Sequence, residues 1–175
     1  MKNLWLILPI GVILFFAGKY IYHIPEFSVG GDVPNFQVKL ENGNAIDLYQ
    51  FAEDKILLVE FWGSWCGPCR ASNKGLVKVY DKFANKKGKD GNTFEILSIA
   101  LEQRDNQVLW AKAVATDGLQ WDNHVRQLWG KSALRDLYKI TEVPSNYLIG
   151  KGGKILGVNM TEKELEKYLQ DNLVM

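Results

Sequence analysis

The spacing of apolar residues first predicts a β-hairpin. Apolar side chains alternate with polar ones on either side of Asn42-Gly43, a dipeptide that favours a tight hairpin turn. The alternating positions are Phe36, Val38, Leu40, Ile46 and Leu48. Alternation of this kind indicates strands with one buried face, so we expect a small hairpin ahead of the main fold.

A continuous apolar run follows the hairpin and leads into a helical repeat. Residues 56–62 are apolar except for Glu60, which is typical of a buried parallel strand. Residues 70–83 carry apolar side chains at helical spacing. These positions are Leu76, Val77, Tyr80 and Phe83. The pattern predicts a buried strand that passes directly into an amphipathic helix.

The middle of the chain predicts one more strand and two helices. Residues 93–101 form a second apolar run. A helix begins after Asp105 or Asn106, either of which can cap it, and ends at Gly118. A short helix follows at residues 132–138.

The last part of the chain predicts two strands and a closing helix. Residues 146–149 and 154–158 form strands joined by Lys151-Gly152-Gly153, a hairpin signal. Thr161 and Glu164 form a capping box for the final helix. The whole order predicts an α/β fold with a central mixed sheet, mostly parallel with a final antiparallel hairpin, and helices on both faces. The first hairpin is an N-terminal extension of this fold, and the middle helices are a central helical insertion.

Length and charge narrow the class of protein. The chain of 175 residues is long enough for one domain of ordinary size plus an appendage. Its net charge of +1 gives no reason to expect a nucleic-acid partner.

The appendage lies at the N-terminus. After Lys2, residues 4–18 form an uncharged apolar run. This run has the length of a signal-peptide core, and together with the residues that follow it approaches the length of a membrane span. Small residues at the spacing of a cleavage site are missing, and Tyr20 and Tyr22 are aromatic residues of the kind that lie at membrane interfaces. These features favour a retained anchor over a cleaved signal.

Both cysteines of the chain lie at the predicted strand-to-helix junction, within Trp65-Cys66-Gly67-Pro68-Cys69. Two thiols separated by two residues can close a disulfide and exchange it with the disulfide of another protein. A strand, this motif and a helix, in that order, predict a thioredoxin-like redox site. Cys66 then meets the open N–H groups at the helix N-terminus, which favour a reactive thiolate. We predict that Cys66 is the accessible thiol and Cys69 the buried one.

Other uses of the two cysteines are less favoured. A disulfide that spans two residues closes too small a loop to stabilise a fold much. A structural zinc site usually needs four ligands, whereas the chain has two cysteines and two histidines. We therefore predict redox chemistry with no metal and no cofactor beyond the Cys66–Cys69 disulfide.

The membrane segment changes the redox argument. We predict a membrane anchor or signal segment at residues 1–23 and a globular domain at residues 24–175 that is exported to the cell envelope. In an oxidising compartment an isolated thiol pair becomes oxidised, so a reductant there must receive electrons from a membrane donor. Membrane attachment keeps the domain close to such a donor.

Glu60 is the one charged residue in the buried run. If its strand is central, burial raises the pKa of the carboxyl. An acid beneath the helix start can then take a proton from Cys69 as that thiol attacks a mixed disulfide. A solvated glutamate on an edge strand is the alternative.

Val143-Pro144 precedes the predicted strand at residues 146–149. A proline that marks the start of a strand is the simpler interpretation. We favour a cis peptide opposite the cysteines, which leaves backbone groups free to pair with an extended substrate.

Aromatic residues near the motif have two predicted roles. We expect Trp65 to form an exposed apolar rim where partner proteins dock. Trp110, Trp121 and Trp129 are predicted to belong to the core or to cover it. For His124 we favour a polar surface position over a role as a ligand.

The chain resembles the TlpA-like (ResA-like) thiol–disulfide oxidoreductases of the thioredoxin superfamily from about residue 29 to residue 172. The resemblance rests on Gly31-Asp32-Val33-Pro34-Asn35-Phe36, on Leu58-Val59-Glu60-Phe61-Trp62-Gly63-Ser64-Trp65-Cys66-Gly67-Pro68-Cys69-Arg70, and on Val143-Pro144-Ser145-Asn146-Tyr147-Leu148-Ile149 followed by Gly152-Gly153-Lys154-Ile155. The string around the cysteines is the most specific of these.

The resemblance implies a thioredoxin-like enzyme that is anchored in the inner membrane, faces outward and reduces disulfides of envelope proteins. In this family Cys66 corresponds to the attacking thiol, Cys69 to the resolving thiol, Pro144 to the cis-proline and Glu60 to the buried acid. Relatives often reduce cysteines of apocytochromes, in cytochrome c-type biogenesis, or of copper sites. Many relatives carry a different residue at the Glu60 position, so the substrate is not implied.

A substrate surface is predicted beside the cysteines. We predict that Trp65, Gly67, Pro68 and Val143 bind the substrate protein. The Gly67-Pro68 pair matches the reducing members of the superfamily, which favours a reductase over an oxidase.

Two other functions stay open. Soft thiolates suit Cu(I), so a metallochaperone that holds copper on Cys66 and Cys69 is the alternative, with His124 as the only candidate further ligand. A peroxidase is a third possibility, but the chain lacks a separate peroxidatic cysteine motif.

Overall fold

The computed structural model describes residues 12, 13, 16, 18 and 27–174. The predicted membrane segment at residues 1–23 lies outside the described residues, apart from Val12, Ile13, Phe16 and Gly18, which are helical. Within the described part of the chain, no helix combines the length and apolar character needed to cross a membrane.

The described chain alternates short strands with helices. The strands are β1 (Gln37–Lys39), β2 (Ala45–Asp47), β3 (Lys55–Trp62), β4 (Lys87–Gly88), β5 (Thr93–Glu102), β6 (His124–Leu128), β7 (Ser145–Ile149), β8 (Ile155–Val158) and β9 (Leu173–Val174). The helices are α1 (Leu48–Phe51), α2 (Gly67–Phe83), α3 (Gln107–Asp117), α4 (Ala133–Leu137) and α5 (Glu162–Asn172).

The main sheet is mixed, and β3 and β5 are its centre. Its strands follow the order β8-β7-β3-β5-β4-β9, and β6 pairs with the second half of β5. The pairs β3–β5 and β5–β6 are parallel, whereas β7 is antiparallel to both β3 and β8. The predicted mixed sheet is confirmed. The expectation that it is mostly parallel is wrong, because β7 runs antiparallel to β3, and the short strand β4 runs antiparallel to both β5 and β9.

Alternate residues of β3 enter two different apolar cores. Ile56, Leu58 and Trp62 pack on one face with side chains of α2, α3 and α5, and both cysteines belong to this core. Leu57, Val59 and Phe61 pack on the other face with the N-terminal hairpin and α4. Both faces of β3 are therefore covered, which explains why its sequence is a continuous apolar run.

The predicted hairpin is confirmed as β1 and β2, a two-stranded sheet separate from the main one. Its neighbouring side chains Phe36 and Leu40 are buried in the second core. The Tyr138 hydroxyl donates a hydrogen bond to the Pro34 carbonyl oxygen at 2.9 Å, which ties the extension to the end of α4.

The caps that the sequence predicts define the helix ends. Asn106 accepts a hydrogen bond from the backbone of α3, and Gly118 ends that helix in the left-handed conformation at φ 72°. Thr161 and Glu164 form the capping box of α5.

Strand β6 was not predicted, and this omission makes the expectation for His124 wrong. The imidazole is buried against Trp110 and Trp121 rather than exposed. The sequence does not indicate this strand, because it is short and mixes the polar residues His124 and Arg126 with apolar ones. Arg126 binds Asp105 and Glu41, so its charge is compensated at the edge of the sheet.

Candidate active site

The loop between β3 and α2 is held by the end of β5. The Ser64 backbone N–H and hydroxyl donate to the two carboxylate oxygens of the buried Glu102 at 2.8 and 2.6 Å. The Trp65 indole N–H donates to the Leu101 carbonyl oxygen at 2.9 Å. A Cβ on Gly63 would lie 2.6 Å from the Trp65 indole nitrogen, so this position has no room for a larger residue. These contacts fix the approach to the cysteines.

Cys66 is the N-cap of α2, and Cys69 lies in the first turn of this helix. Pro68 occupies the start of α2, where a missing N–H costs nothing. The Cys69 backbone N–H donates to Cys66 Sγ at 3.2 Å. The two sulfur atoms are joined in a disulfide. In the reduced protein the same N–H and the positive end of the helix stabilise a thiolate on Cys66.

The two sulfur-bearing side chains differ in exposure. Cys66 keeps 5% of its surface accessible, whereas Cys69 has none. An incoming disulfide therefore reaches Cys66 first. The small exposed fraction of Cys66 shows that the approach is narrow even at this position.

Val143 and Pro144 lie opposite Cys66, at the start of β7. Their peptide bond is cis, as the sequence analysis expected. The Val143 carbonyl oxygen lies 3.7 Å from Cys66 Sγ. Pro144 is exposed and Val143 half-buried, so the backbone here borders the open side of the site.

The rim of the site contains more aromatic surface than the sequence predicted. Trp65 is 43% exposed, and Gly67 and Pro68 are exposed beside it. Trp129 packs edge-to-face on Trp65 at 6.0 Å, and the Arg135 guanidinium lies 4.9 Å from the Trp129 ring centre. The role of Trp129 was missed because only the fold brings the insertion after β6 next to the motif.

An ion pair between the half-buried Arg70 and the buried Asp117 anchors the start of α2. Arg70 donates from Nε to Asp117 Oδ2 and from its terminal nitrogen to Oδ1, the latter at 2.7 Å. The Asn73 amide adds a hydrogen bond of 2.9 Å to Asp117. The bidentate pair connects the redox helix to the end of α3. Local sequence does not indicate this link, because Asp117 is 47 positions away from Arg70.

Glu60 lies in the core on the cysteine side of the sheet. It is 1% exposed, and the Ser98 hydroxyl donates to its Oε2 atom at 3.1 Å. Its other oxygen, Oε1, has no hydrogen-bond partner among the described residues. Burial raises the pKa of Glu60 to about 7, with the carboxylates of Glu162 and Asp117 acting in the same direction against the Ser98 hydrogen bond. The expectation of a buried glutamate on a central strand is confirmed.

The position of His124 bears on copper binding. Its burial beside Trp110 and Trp121 lowers the pKa of the imidazole. Among the residues that the structure describes, no three His, Cys, Asp or Glu side chains form a group suited to a metal ion.

Comparisons with known proteins agree with this site. A family model described as thioredoxin-like matches residues 54–155. The thiol-disulfide oxidoreductase ResA of Bacillus subtilis is 26% identical over 157 residues, which cover 88% of this chain and 78% of that protein. The thioredoxin-like protein YneN of the same organism is 28% identical over 143 residues, 80% of this chain and 78% of the relative.

A solved structure supports the same assignment. The solution structure of a thiol:disulfide interchange protein from a Bacteroides species matches with a TM-score of 0.67 and 26% identity. The match covers 83% of this chain and 90% of that one. The chain belongs to the thioredoxin-like family. Its similarity to the ResA proteins makes it a thiol–disulfide oxidoreductase, and the predicted thioredoxin-like fold is confirmed.

Alkylation of the reduced protein is expected to modify Cys66 before Cys69. Of the two, only Cys66 keeps some accessible surface, 5%, and it also caps the helix N-terminus, which favours its thiolate near neutral pH. Mass spectrometry after brief iodoacetamide treatment measures the order. Cys66→Ser and Cys69→Ser proteins supply the rates of the single thiols, and faster modification of Cys69 would reverse the assignment of roles.

Replacement of Glu60 is expected to change how stability depends on pH. The folded state holds the Glu60 proton up to about pH 7, whereas an unperturbed carboxyl loses it near 4.5. The unfolded state therefore binds fewer protons in this window, and wild-type stability falls as the pH rises through it. Glu60→Gln should gain about 3 kcal/mol in unfolding free energy over wild type between pH 4 and pH 8.

Urea unfolding of the oxidised proteins at several pH values measures this difference. Glu166→Gln, which removes a partly exposed carboxylate that pairs with Lys82, is the control for the loss of a glutamate charge outside the core. A constant difference between Glu60→Gln and wild type across the range would contradict the raised pKa.

Proposed function

We propose that the protein reduces disulfides in proteins of the cell envelope, with Cys66 as the attacking thiol and Cys69 as the resolving thiol. One observation supports this most strongly. Cys66, which keeps 5% of its surface accessible, caps a helix N-terminus, and the fully buried Cys69 lies on the same side of the sheet as Glu60, whose pKa burial raises to about 7.

The first step is attack on the substrate. The Cys66 thiolate attacks one sulfur of the substrate disulfide, so that a mixed disulfide forms and the other substrate sulfur leaves as a thiolate. The helix N-terminus and the Cys69 N–H stabilise the attacking thiolate.

The second step resolves the mixed disulfide. The Cys69 thiol gives its proton to Glu60, and the resulting thiolate attacks Cys66 Sγ. The Cys66–Cys69 disulfide forms and the second substrate sulfur leaves as a thiolate. The substrate gains two electrons, the protein loses two, and no cofactor other than the cysteine pair takes part.

The rim provides the place where a substrate chain binds. Trp65, Gly67 and Pro68 offer exposed surface on one side of Cys66, and Val143 and Pro144 border the other side. An extended substrate segment that pairs with the backbone at Val143 brings its disulfide to Cys66.

Location and partners follow from the N-terminal sequence. The apolar run at residues 4–18 supports an N-terminal anchor in the inner membrane, or a cleaved signal, with the domain outside the cytoplasm. A membrane electron donor then returns the cysteines to the thiol form. The family resemblance supports apocytochrome cysteines or copper-site cysteines as substrates.

Glu60→Gln should slow resolution more than it affects attack. Reaction of the reduced protein with Ellman's reagent in a stopped-flow instrument releases one thionitrobenzoate when Cys66 attacks and a second when Cys69 resolves. In wild type the second phase should accelerate with pH around a midpoint near 7, because the Glu60 carboxylate is the acceptor. In Glu60→Gln this midpoint should disappear while the first phase stays. Persistence of the midpoint would exclude Glu60 as the acceptor.

The redox potential is expected to lie on the reducing side. Thioredoxin has a potential of about −270 mV and the oxidant DsbA one of about −120 mV. The Gly67-Pro68 pair supports a value closer to that of thioredoxin. Equilibration with glutathione buffers measures it, and a potential near that of DsbA would contradict the reductase function.

Trapping with Cys69→Ser, which leaves mixed disulfides unresolved, then identifies the substrate, with Cys66→Ser/Cys69→Ser as the control.

A further inference from the structure

A row of polar residues crosses the sheet beneath the cysteines. Glu60 on β3 pairs in register with Ser98 on β5, and Ser98 pairs with His124 on β6. On the other side, Glu60 pairs with Asn146 on β7. Residues paired in register share a face of the sheet, so all four lie on the side of the redox helix.

Among these described neighbours, Ser98 is the one whose side chain makes a hydrogen bond with Glu60. The Asn146 amide is engaged elsewhere, since its oxygen accepts from the Met160 N–H at 2.9 Å and its nitrogen donates to the Met160 carbonyl at 3.0 Å. The His124 ring packs on Trp121 and Trp110.

The direction of the hydrogen bonds at Ser98 is determined by Trp121. The Trp121 indole N–H lies 3.1 Å from Ser98 Oγ, and an indole N–H can only donate. Ser98 therefore accepts from Trp121 and keeps its single hydroxyl proton for Glu60 Oε2, at 3.1 Å. Because Oε2 is occupied as an acceptor, the exchangeable proton of neutral Glu60 belongs on Oε1, the oxygen without a partner among the described residues.

We propose that Ser98, oriented by the Trp121 indole, is a positioning residue that holds Glu60 with Oε1 as the oxygen that exchanges a proton with Cys69. This inference rests on the proposed proton transfer from Cys69 to Glu60. The inference adds the buried residues Ser98 and Trp121 to the groups that act on Glu60, although neither carries sulfur nor touches the substrate.

The other charged groups near Glu60 act differently from Ser98. The carboxylates of Asp117, at the end of α3, and Glu162, in the first turn of α5, both disfavour the ionised form. Asp117 is paired with Arg70 of α2, and Glu162 accepts a hydrogen bond from the Ser72 hydroxyl at 2.6 Å. His124 follows on β6, and burial lowers the pKa of its ring. Ser98 opposes these effects, because its hydroxyl donates directly to the Glu60 carboxylate.

Removal of the hydroxyl should shift the pH at which resolution accelerates. In Ser98→Ala the carboxylate loses its donor, so the midpoint of the second thionitrobenzoate phase should rise by about one pH unit. At pH 7 resolution should then be about fivefold slower than in wild type, since less Glu60 is ionised. Ser98→Thr keeps a hydroxyl at the same place and should restore the wild-type midpoint.

Two further proteins separate this inference from the proposed function. In the Glu60→Gln background, Ser98→Ala should cause no additional change in the pH profile, because no titrating group is left to position. Ser132→Ala removes a buried hydroxyl from the cap of α4 and should leave the midpoint unchanged. Urea unfolding at pH 7 verifies that each protein is folded.

The outcomes are distinct. If Glu60→Gln abolishes the midpoint but Ser98→Ala leaves it in place, the positioning role of Ser98 is wrong and the proton transfer to Glu60 stands. If Ser98→Thr shifts the midpoint as far as Ser98→Ala, the effect comes from packing, and the inference fails. If the midpoint persists in Glu60→Gln, both the proton transfer and the inference built on it fail.

Discussion

The proposed chemistry depends on one constraint, a carboxyl group held in an apolar core. Glu60 lies on a central strand with both sheet neighbours in place, so water cannot stabilise its charge. Desolvation raises its pKa to about 7, which suits the proposed role of Glu60 as the proton acceptor for Cys69. As a consequence, the folded state becomes less stable when the pH rises and Glu60 loses its proton.

The two cysteines divide the work according to their surroundings. Cys66 meets the N-terminus of α2, where backbone N–H groups favour a thiolate without any side-chain base. Cys69 is fully buried three residues later, within the first turn, and the proposed mechanism gives it Glu60 as its proton acceptor. The Arg70–Asp117 pair and the Glu102 contacts to Ser64 hold the helix and the loop before it, so that both environments keep their geometry.

Local sequence predicted those parts of the fold that depend on local signals. The continuous run of β3, the caps of α3 and α5 and the turn at Asn42-Gly43 each depend on residues close in the chain. Strand β6 depends on its partner β5, and its mixed sequence carries no clear period, so it and the burial of His124 were missed. The cysteines, Glu60 and Pro144 were found from the motif and its setting. The contacts of Ser98, Trp121, Asp117 and Trp129 with these residues and their surroundings were missed, because they are tertiary contacts.

Direct titration of the Glu60 carboxyl tests the central claim most simply. Carbon NMR of the oxidised protein with labelled glutamate side chains follows each carboxyl signal against pH, and the signal lost in Glu60→Gln identifies the one of interest. The buried environment predicts a midpoint about 7 for this signal. A midpoint near the ordinary glutamate value of 4.5 would show that the site is hydrated and would contradict the account.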